Sequence, residues 1–478
     1  MFKKKITFKK ILEIIFYLIS FLLILLPFWF KKKFGVVYFD QLIFHLELFF
    51  KGNLVADAQV QKSLYKWVVI SSITSTYLYL IFKRKFLKKN NLTKTKELIS
   101  FFLILILSVA YNTALFESIT FNKNDFIEKN YYFEEPINVQ NNKKNLILIY
   151  VESLDQIFAD KKKYGSNLLQ PLYDLNVNSN EIKNFYQIPG YSFTINSLVA
   201  TQCGIPAKPI GFFEASSLKN IKNFLPNIKC LGDYTNELNY KNLFITSDEI
   251  ENFGVKHFLL NHKFLNSNIY DVKKLKQLGY QTSNFAWRGD KNKDGGMHDD
   301  VLFEASYDII KKNLNNPEPF FLSIYTLDTH SPKGYPNPKC LKTMFEDEEI
   351  EKNFTIKNSV ICTVNALSLF ISKISALNQP IDIIILGDHA YPGNDERNSR
   401  IFNKFIIDSK TKFNRETMNH LDFFPSLLHI LGYRFKQNRF ALGFNIFDEI
   451  NLDFYNEYIF NLDKKLSGKS KKYLSFWE

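Results

Sequence analysis

Apolar residues follow two different patterns along this chain. In the first 120 positions they form three long runs, 11–30, 67–82 and 98–116, each of about the length that crosses a lipid bilayer. From position 145 onward the apolar runs are short, and polar residues separate them. The chain is therefore expected to combine an N-terminal membrane anchor with a C-terminal domain that folds around its own core.

The charges that flank the long runs give the anchor an expected orientation. Lysines stand on both sides of the first run, at 3–5 and 31–33, and no small-residue cleavage site follows it, so it is interpreted as an uncleaved anchor. With the N-terminus in the cytoplasm, three spans place the chain after position 116 outside the cytoplasm. Lysines 31–33 then face outward, against the positive-inside rule. A fourth span would place the C-terminal domain in the cytoplasm unless the N-terminus also lay outside.

Two further segments complete the expected organisation. Segment 34–50 is apolar but contains Asp40, His45 and Glu47, and because charges at bilayer depth are costly it is interpreted as interfacial or re-entrant. Segment 121–143 is polar and is interpreted as a linker. We therefore predict an anchor over 1–120 with about three spans, a linker over 121–143 and a folded domain over 144–478.

The short apolar runs of the C-terminal part predict buried strands. They occupy 146–151, 242–246, 320–325 and 381–386, and helical patterns such as 300–313 and 359–378 lie between them. Strands that alternate with helices are typical of an α/β fold in which a largely parallel sheet is covered by helices on both faces.

Three of these strands lead into side chains that bind metal ions. Glu152 follows the first strand, His330 follows the third, and Asp388 and His389 follow the fourth. Each of these residues can equally be the cap of a turn, but in parallel sheets the carboxyl ends of the strands form the ligand-binding edge. Two carboxylates and an imidazole at that edge predict a site for Zn²⁺, Mn²⁺ or Mg²⁺.

Segment 189–206 supplies hydroxyl groups for such a site. A Pro-Gly turn leads into Ser192, Thr194 and Ser197, and the apolar residues 198–200 indicate a buried helix. Such a hydroxyl can be an ordinary helix cap, but it can also present a nucleophile where the helix N-terminus favours a phosphate. A bound cation would favour the alkoxide form of that hydroxyl.

The composition narrows the expected partners. The 478 residues carry a net charge of +13, from 61 Lys and Arg against 48 Asp and Glu. Much of the basic excess lies beside apolar segments, which indicates membrane topology and anionic headgroups rather than nucleic acid, for which no signature is present. The four cysteines form no C-x-x-C pair; outside the cytoplasm they can pair as Cys203–Cys230 and Cys340–Cys362, and otherwise they are free buried thiols.

Several of these segments together resemble a known family. Their order along the chain is that of the alkaline phosphatase–sulfatase superfamily: NLILIYVES at 145–153, FT at 193–194, FAWR at 285–288, THSP at 329–332 and LGDH at 386–389. Within it the chain most resembles the membrane-anchored phosphoglycerol transferases and lipoteichoic acid synthases. The segments 39–41, 194–206, 230–233, 296–300 and 421–428 add to this resemblance, which covers nearly the whole chain.

The resemblance implies a sulfatase-like domain and assigns the site residues. One or two divalent ions (Mn, Zn or Mg) are held by Glu152, Thr194, Asp388 and His389. Thr194 is also the nucleophile, with Ser192 and Ser197 as rivals, and the phosphoryl or glycerol group is contacted by Trp287, Arg288 and His330, of which Arg288 and His330 also act in catalysis. Ala390 departs from the glycine that the family usually has after Asp-His.

The remaining candidate residues are expected to be structural. The cluster His298, Asp299 and Asp300 is expected to cap the following helix. Packing or surface roles are expected for His45, His257, His262, His420 and His429.

The resemblance also implies a function. It is transfer of phosphoglycerol from a membrane glycerophospholipid, with phosphatidylglycerol favoured, through a phospho-threonine to a glycan acceptor outside the cytoplasm. The expected location is the bacterial inner membrane, with several spans and an extracytoplasmic catalytic domain. One alternative is a phosphoethanolamine transferase acting on lipid A or another surface glycan, and a second is a non-catalytic membrane protein on the same fold. A sulfatase would need a C/S-x-P-x-R signature, which CGIPA at 203–207 does not supply.

Overall fold

The computed structural model describes most of the C-terminal part of the chain. The described residues are 65–69, 126–139, 143–188, 194–207, 223–251, 254–283, 296–331, 333–346, 350–391, 399–407, 412–466 and 470–477. The predicted spans lie outside them, apart from a short helix over 65–69, and so does segment 34–50. Among the described residues, one helix, Ile356–Ser375, is long and apolar enough to cross a membrane, and over half of its most apolar stretch is buried.

The strands are short and are spread over the whole folded unit. Their bounds are β1 Ile137–Asn138, β2 Asn145–Val151, β3 Asn184–Tyr186, β4 Lys241–Thr246, β5 Ile269–Tyr270, β6 Phe320–Tyr325, β7 Ile381–Gly387, β8 Asn403–Ile406, β9 Thr417–Asn419, β10 Tyr433–Arg434, β11 Arg439–Phe440 and β12 Gly443–Phe444.

The helices lie between these strands. The α-helices are α1 Phe126–Asn130, α2 Lys161–Tyr164, α3 Gln170–Tyr173, α4 Thr194–Cys203, α5 Leu231–Glu237, α6 Val255–Asn261, α7 Val272–Gln277, α8 Asp299–Leu314, α9 Pro338–Leu341, α10 Ile356–Ser375, α11 His420–Ile430, α12 Leu452–Ile459, α13 Leu462–Leu466 and α14 Lys471–Ser475. Three 3₁₀ turns cover Gln156–Ala159, Asn266–Asn268 and Glu351–Asn353.

Six strands form the central sheet, in the order β5-β4-β6-β2-β7-β8. All neighbours are parallel except β7 and β8, which pair antiparallel. In the centre, Ile149 of β2 lies opposite Ile324 of β6 and Ile385 of β7. These three strands are buried along almost their whole length, which accounts for their continuous apolar sequences. The predicted parallel sheet is confirmed.

Helices cover both faces of this sheet. Side chains alternate along β2, so Ile147 and Ile149 belong to a core shared with α8 and α10, in which the rings of Phe303 and Phe370 stack 4.9 Å apart. On the other face, the Tyr150 hydroxyl forms a 2.6 Å hydrogen bond with Thr201 of α4. The sheet therefore holds α4 in a fixed position above the ends of the central strands.

The folded unit includes part of the segment expected to be a linker. Helix α1 and strand β1 lie within 121–143, and β1 pairs with β10 near the other end of the chain. Ile127 is buried, and Tyr132 exchanges backbone hydrogen bonds with Ala441. Residues 126–139 therefore belong to the same compact unit as the strands of the central sheet.

All four cysteines are paired. Cys203 is bonded to Cys230 and Cys340 is bonded to Cys362, which confirms the first of the two alternatives set out from the sequence. The first bond joins the end of α4 to the residue that precedes α5. The second joins α9 to α10.

Candidate active site

Glu152 occupies the position directly after β2 and is held by hydrogen bonds from two sides. Its backbone N–H donates to Thr326 Oγ1 over 3.0 Å, and its carbonyl accepts a hydrogen bond from the Thr329 hydroxyl. Ser153 donates its own hydroxyl to Glu152 Oε1 over 2.6 Å and has a φ of 52°, a left-handed conformation that is uncommon outside glycine. This tight turn directs a buried carboxylate across the edge of the sheet.

Asp388 follows β7, the strand next to β2, and is fully buried. Its Oδ1 accepts backbone hydrogen bonds from Ser153 over 2.7 Å and from His389 over 2.8 Å. Its Oδ2 is buried and has no hydrogen-bond partner among the described residues. Because a buried carboxylate oxygen is normally paired, this atom indicates the position of a ligand.

His389 presents one ring nitrogen to both carboxylates. Nδ1 donates to the Ala390 carbonyl over 3.0 Å, which fixes the ring. Nε2 lies 3.3 Å from Glu152 Oε1 and 3.5 Å from Asp388 Oδ2. A histidine whose other nitrogen is tied to a carbonyl is the usual arrangement for a metal ligand.

The backbone around His389 is fixed by two further side chains. Ala390 donates its N–H to Gln187 Oε1 over 2.5 Å, so the alanine that departs from the family pattern leaves the neighbouring ligands in place. His420 of α11 lies with Nε2 2.8 Å from the Asp388 carbonyl. Burial lowers the pKa of His420 to about 4, so the ring is neutral and donates this hydrogen bond.

Thr194 is the first residue of α4. Its hydroxyl donates to Glu152 Oε2 over 3.4 Å, so the structure brings it to the two carboxylates and His389. Backbone N–H groups at the start of a helix favour a negatively charged group beside this hydroxyl. Of the two rival hydroxyls, Ser197 is buried on the same helix and is not among the residues that line the pocket at Thr194. Ser192 lies outside the described residues.

The electrostatics of the cluster fit a cation. Burial raises the pKa of the Asp388 carboxyl above its usual range, and the negative charge of Glu152 adds to this shift. Ligand atoms of Glu152, Asp388 and His389 all lie within 4.8 Å of one another. Two buried carboxylates with one unpaired oxygen and an oriented imidazole are a donor set suited to a divalent metal ion.

A pocket opens beside Thr194 and Glu152. His330 stands at its rim, half buried, and its Nδ1 donates to the Ser331 carbonyl over 2.8 Å. The pocket is lined by Glu152, Thr194, Leu198, Phe244, Thr246, Asp248, Glu249, Ile250, Val255, Tyr325, Thr326, Leu327 and His330. Trp287 and Arg288, which were also predicted to contact the substrate, lie outside the described residues.

Sequence reasoning left out two acidic residues of this pocket. Asp248 and Glu249 follow β4, and Glu249 is paired with Lys273 over 3.0 Å. The sequence could have indicated both residues, because they follow a strand, β4, that ends at the same edge of the sheet as β2 and β6. Thr329 lies in the family segment THSP, but neither its contact nor that of Thr326 with the Glu152 backbone could be predicted, because the contacts join two different strand ends.

The residues expected to be structural have structural surroundings. Helix α8 begins at Asp299 with His298 at the N-cap position, but the His298 side chain makes no capping hydrogen bond; its Nδ1 lies 2.9 Å from Asp328 Oδ1 instead. Asp299 is buried and accepts a hydrogen bond from Thr363 over 2.7 Å. Of the histidines assigned to packing or surface, His262, His420 and His429 make specific polar contacts. His45 lies outside the described residues.

Comparisons with known proteins show the family of the chain. The family model described as Sulfatase matches residues 144–433, more than half of the chain. The chain is 28% identical over 362 residues to phosphoglycerol transferase I of Salmonella choleraesuis, an alignment that covers 72% of this chain and 44% of that protein. It is 28% identical over 317 residues to phosphoglycerol transferase I of Salmonella arizonae, covering 63% of this chain and 39% of that protein. The chain thus spans less than half the length of these relatives.

A solved structure has the same fold. It is a protein in the alkaline phosphatase superfamily from Vibrio parahaemolyticus, with a TM-score of 0.50 and 20% sequence identity, and the match covers 66% of this chain and 72% of that one.

Proposed function

The chain belongs to the sulfatase family, and within it we propose that this protein transfers a phosphoglycerol group from a membrane glycerophospholipid to a glycan outside the cytoplasm. Phosphatidylglycerol is the favoured donor, and the group passes through a phospho-threonine at Thr194. The relatives with 28% identity are phosphoglycerol transferases, which supports this choice of transferred group. The proposal includes the multi-pass anchor in the bacterial inner membrane, which would keep the site close to lipid headgroups.

One observation carries the proposal. The Thr194 hydroxyl is 3.4 Å from Glu152 Oε2, at the N-terminus of a buried ten-residue helix and beside a pocket. A hydroxyl that only caps a helix needs no buried carboxylate cluster in front of it. A hydroxyl that attacks a phosphodiester needs the carboxylate, because its proton must be accepted. It also needs the helix N-terminus beside the pocket, because the phosphoryl oxygens must be bound.

The metal ligands in this proposal are Glu152, Asp388, His389 and Thr194. One or two divalent ions (Mn, Zn or Mg), when bound, would favour the alkoxide form of Thr194 and offset the negative charge of the phosphoryl group. Glu152 accepts the hydrogen bond of the threonine hydroxyl and so directs its lone pairs toward the pocket. Asp388 and His420 fix the backbone on which His389 is oriented.

In the first step Thr194 Oγ1 attacks the phosphorus of the lipid phosphodiester. A bond forms between phosphorus and Thr194, whose proton passes to Glu152, the bond between phosphorus and the diacylglycerol oxygen breaks, and diacylglycerol leaves with a proton from His330. In the second step a glycan hydroxyl attacks the phospho-threonine and loses its proton to His330, the bond between phosphorus and Thr194 breaks, and Thr194 takes back the proton from Glu152. The backbone N–H groups at the start of α4 favour the phosphoryl charge in both steps.

His330 is proposed to carry the proton between these steps. Its Nδ1 holds a proton in the hydrogen bond to the Ser331 carbonyl, so Nε2 is the basic nitrogen of the neutral ring. Protonated, the ring gives a proton to the leaving diacylglycerol oxygen; neutral, it takes one from the attacking glycan hydroxyl. Arg288 and Trp287 are proposed to bind the phosphoryl and glycerol groups.

A second candidate is phosphoethanolamine transfer. Asp248 and Glu249 line the pocket, and carboxylates at this position would attract the ammonium group of ethanolamine. They would equally accept hydrogen bonds from the two hydroxyls of glycerol, and Glu249 is already partly neutralised by Lys273. The acceptor in that case would be lipid A or another surface glycan.

Two other functions are less well supported. A sulfatase would need a modified cysteine or serine in a C/S-x-P-x-R segment, but 203–207 reads CGIPA and Cys203 is held in a disulfide. A non-catalytic role would not require the buried Asp388 Oδ2, which accepts no hydrogen bond from the described residues, or the fixed orientation of His389 beside it.

The proposal is tested by lipid turnover. The purified full chain with Mn²⁺ is mixed with vesicles of phosphatidylglycerol, of phosphatidylethanolamine or of phosphatidylcholine, and the released diacylglycerol is measured. We expect release from phosphatidylglycerol and its loss in Thr194→Ala, whereas Ser197→Ala retains it. Release only from phosphatidylethanolamine would favour the second candidate, and release that persists in Thr194→Ala would refute the assigned nucleophile.

A further inference from the structure

A second group of metal-type side chains lies away from the candidate active site. Cys203, Cys230 and His262 are each at least nine-tenths buried, and their ligand atoms lie within 4.8 Å of one another. The two cysteines are bonded, and His262 Nε2 lies 3.5 Å from Cys230 Sγ. The other disulfide, Cys340–Cys362, has no histidine of this kind in the groups of potential metal ligands that the described residues form.

His262 is oriented toward the sulfur by a carboxylate. Its Nδ1 lies 2.8 Å from Asp233 Oδ2, so Nδ1 donates to the carboxylate and Nε2 faces the sulfur. Asp233 is itself fixed, because its Oδ2 also accepts the Cys230 backbone N–H over 2.9 Å in the capping box of α5. A carboxylate, a histidine and a sulfur in line form the outer and inner shells of many zinc sites.

The oxidised form makes only weak use of this orientation. A disulfide sulfur has no proton to donate and is a weak acceptor, so the 3.5 Å contact with His262 Nε2 contributes little. A thiol on Cys230 would donate to Nε2, and a cation between the three atoms would accept electrons from all of them. The geometry is therefore better suited to the reduced cysteines than to the disulfide.

The cluster lies beneath a surface recess. Asp233 lines this recess of about 660 Å³, together with the chain neighbours of Cys230 and His262, namely Lys229, Asn261 and Lys263. The recess brings solvent to Asp233 and to the chain neighbours of Cys230 and His262, while the three candidate ligands themselves are buried. The acidic Glu237 in the same lining pairs with Lys229 over 2.8 Å, which reduces the positive charge that would repel a cation.

We propose that the Cys203–Cys230 disulfide is reducible in the folded protein and that its reduction creates a Zn²⁺ site with Cys203, Cys230 and His262 as ligands. A dithiol reductant is oxidised to its disulfide while Cys203 and Cys230 each gain an electron and a proton. Binding of Zn²⁺ then displaces the two thiol protons, giving two thiolates and one imidazole around the ion. Asp233 is the positioning residue for His262, and the fourth position takes a water molecule.

The site is joined to the proposed nucleophile by one helix. Helix α4 begins at Thr194 and ends at Cys203, and the residues between them are buried. The disulfide anchors the far end of this helix to the start of α5. The redox state of the pair, and the ion that replaces the bond, would therefore act on the helix that carries Thr194.

Cobalt provides a test that the candidate active site does not disturb, because that site holds no thiolate. The Cys340→Ser/Cys362→Ser variant keeps Cys203–Cys230 as the one cysteine pair. It is reduced with a dithiol, desalted without oxygen and titrated with Co²⁺ and then with Zn²⁺. We expect thiolate-to-Co²⁺ charge-transfer absorption in the reduced protein alone, its displacement by Zn²⁺, and one further Zn²⁺ bound per chain relative to the oxidised protein.

Two substitutions separate a metal site from an accidental contact. Asp233→Asn retains a hydrogen-bond acceptor for the Cys230 backbone and is expected to weaken Zn²⁺ binding by roughly 10- to 100-fold. His262→Ala should weaken it further, whereas His257→Ala, in the helix α6 that ends just before His262, should leave it unchanged.

Several outcomes would overturn the proposal. They are a disulfide that resists the dithiol until the protein unfolds, loss of the native near-ultraviolet circular dichroism on reduction, equal metal content in both redox states, and unchanged affinity in His262→Ala.

Discussion

The hydroxyl of Thr194 lies 3.4 Å from Oε2 of Glu152, although 42 positions separate the two residues in the chain. Glu152 directly follows strand β2 and Thr194 begins helix α4, so the contact joins the edge of the central sheet to the N-terminus of a buried helix. Asp388 and His389 complete the group from the neighbouring strand. The predictions below concern this group and the parts of the fold that hold it.

Glu152→Gln tests whether the carboxylates hold a cation. The substitution keeps the shape of the side chain but removes its charge, so metal affinity and transferase activity should fall at least ~100-fold. In the metal-free protein the same change removes repulsion between two buried carboxylates, so its melting temperature should rise above that of metal-free wild type.

Thermal unfolding with and without metal measures both effects. Metal at about 100 times its dissociation constant should stabilise wild type by about 2.7 kcal/mol and the variant far less. Equal stabilisation of the two proteins would exclude Glu152 as a ligand.

Gly387→Ala should displace Asp388. A Cβ at this position would lie 2.1 Å from the Leu154 carbonyl oxygen, a backbone atom that cannot yield without moving the turn after β2. We expect at least ~2 kcal/mol loss in the free energy of unfolding, measured in urea, together with loss of activity. Gly279→Ala is the control, since nothing lies within 4 Å of its added Cβ and only its φ of +95° opposes the change. A Gly387→Ala protein as stable and active as wild type would show that the two strand ends are not packed as described.

Asp422→Ala should destabilise the fold strongly. Arg415 Nη2 lies 3.4 Å from Asp422 Oδ2 with both side chains fully buried, and Asp422 also caps helix α11. Removing the carboxylate leaves a buried guanidinium without its counter-charge, which typically costs about 3–5 kcal/mol. Glu416→Ala, which removes an exposed pair with Lys183 at 3.8 Å, should change the free energy of unfolding by less than ~1 kcal/mol. Equal effects of the two substitutions in urea denaturation would contradict the buried pair.

His429 should make stability depend on acid. Burial, followed by the charge of Arg434, lowers the pKa of His429 from 6.5 to about 4, and its Nδ1 accepts a hydrogen bond from Asn445 over 2.8 Å. In the unfolded chain, His429 is therefore protonated as the pH falls below 6.5, whereas in the folded protein it is protonated only near pH 4. The stabilisation is complete above pH 6.5 and is lost as the pH falls toward 4.

Urea midpoints at pH 7.5, 5.5 and 4.5 measure this dependence. His429→Gln, whose amide oxygen can still accept from Asn445, should lose less stability over this range than wild type. The dependence will not vanish, because burial lowers the pKa of His420 in the same direction. A variant that follows the wild-type curve would show that His429 is protonated in the folded state.

Much of the sheet could be predicted from the sequence because its central strands are buried on both faces. The runs at 146–151, 320–325 and 381–386 match β2, β6 and β7 within a residue or two. Since parallel strands end at a common edge, the meeting of Glu152 with Asp388 and His389 followed from the same pattern. The placement of Thr194 rested on family resemblance, because segment 189–206 alone contains several hydroxyl residues.

Other features depend on contacts that no local pattern records. Strand β8 is a four-residue antiparallel edge and lacks a continuous apolar run long enough to distinguish it. The polar segment around Phe126 folds with the domain because β1 finds its partner at Tyr433–Arg434, about three hundred residues later. His262 has an ordinary sequence context, and only the fold brings it to Asp233 and Cys230.

The most direct measurement is the mass of the enzyme after brief reaction with phosphatidylglycerol in the absence of an acceptor. We predict an added phosphoglycerol group, located by peptide fragmentation on Thr194, that is absent from Thr194→Ala and disappears when an acceptor glycan is supplied. A group located on Ser192 or Ser197, or steady diacylglycerol release with no covalent adduct at any residue, would contradict the phospho-threonine intermediate on which the proposed function rests.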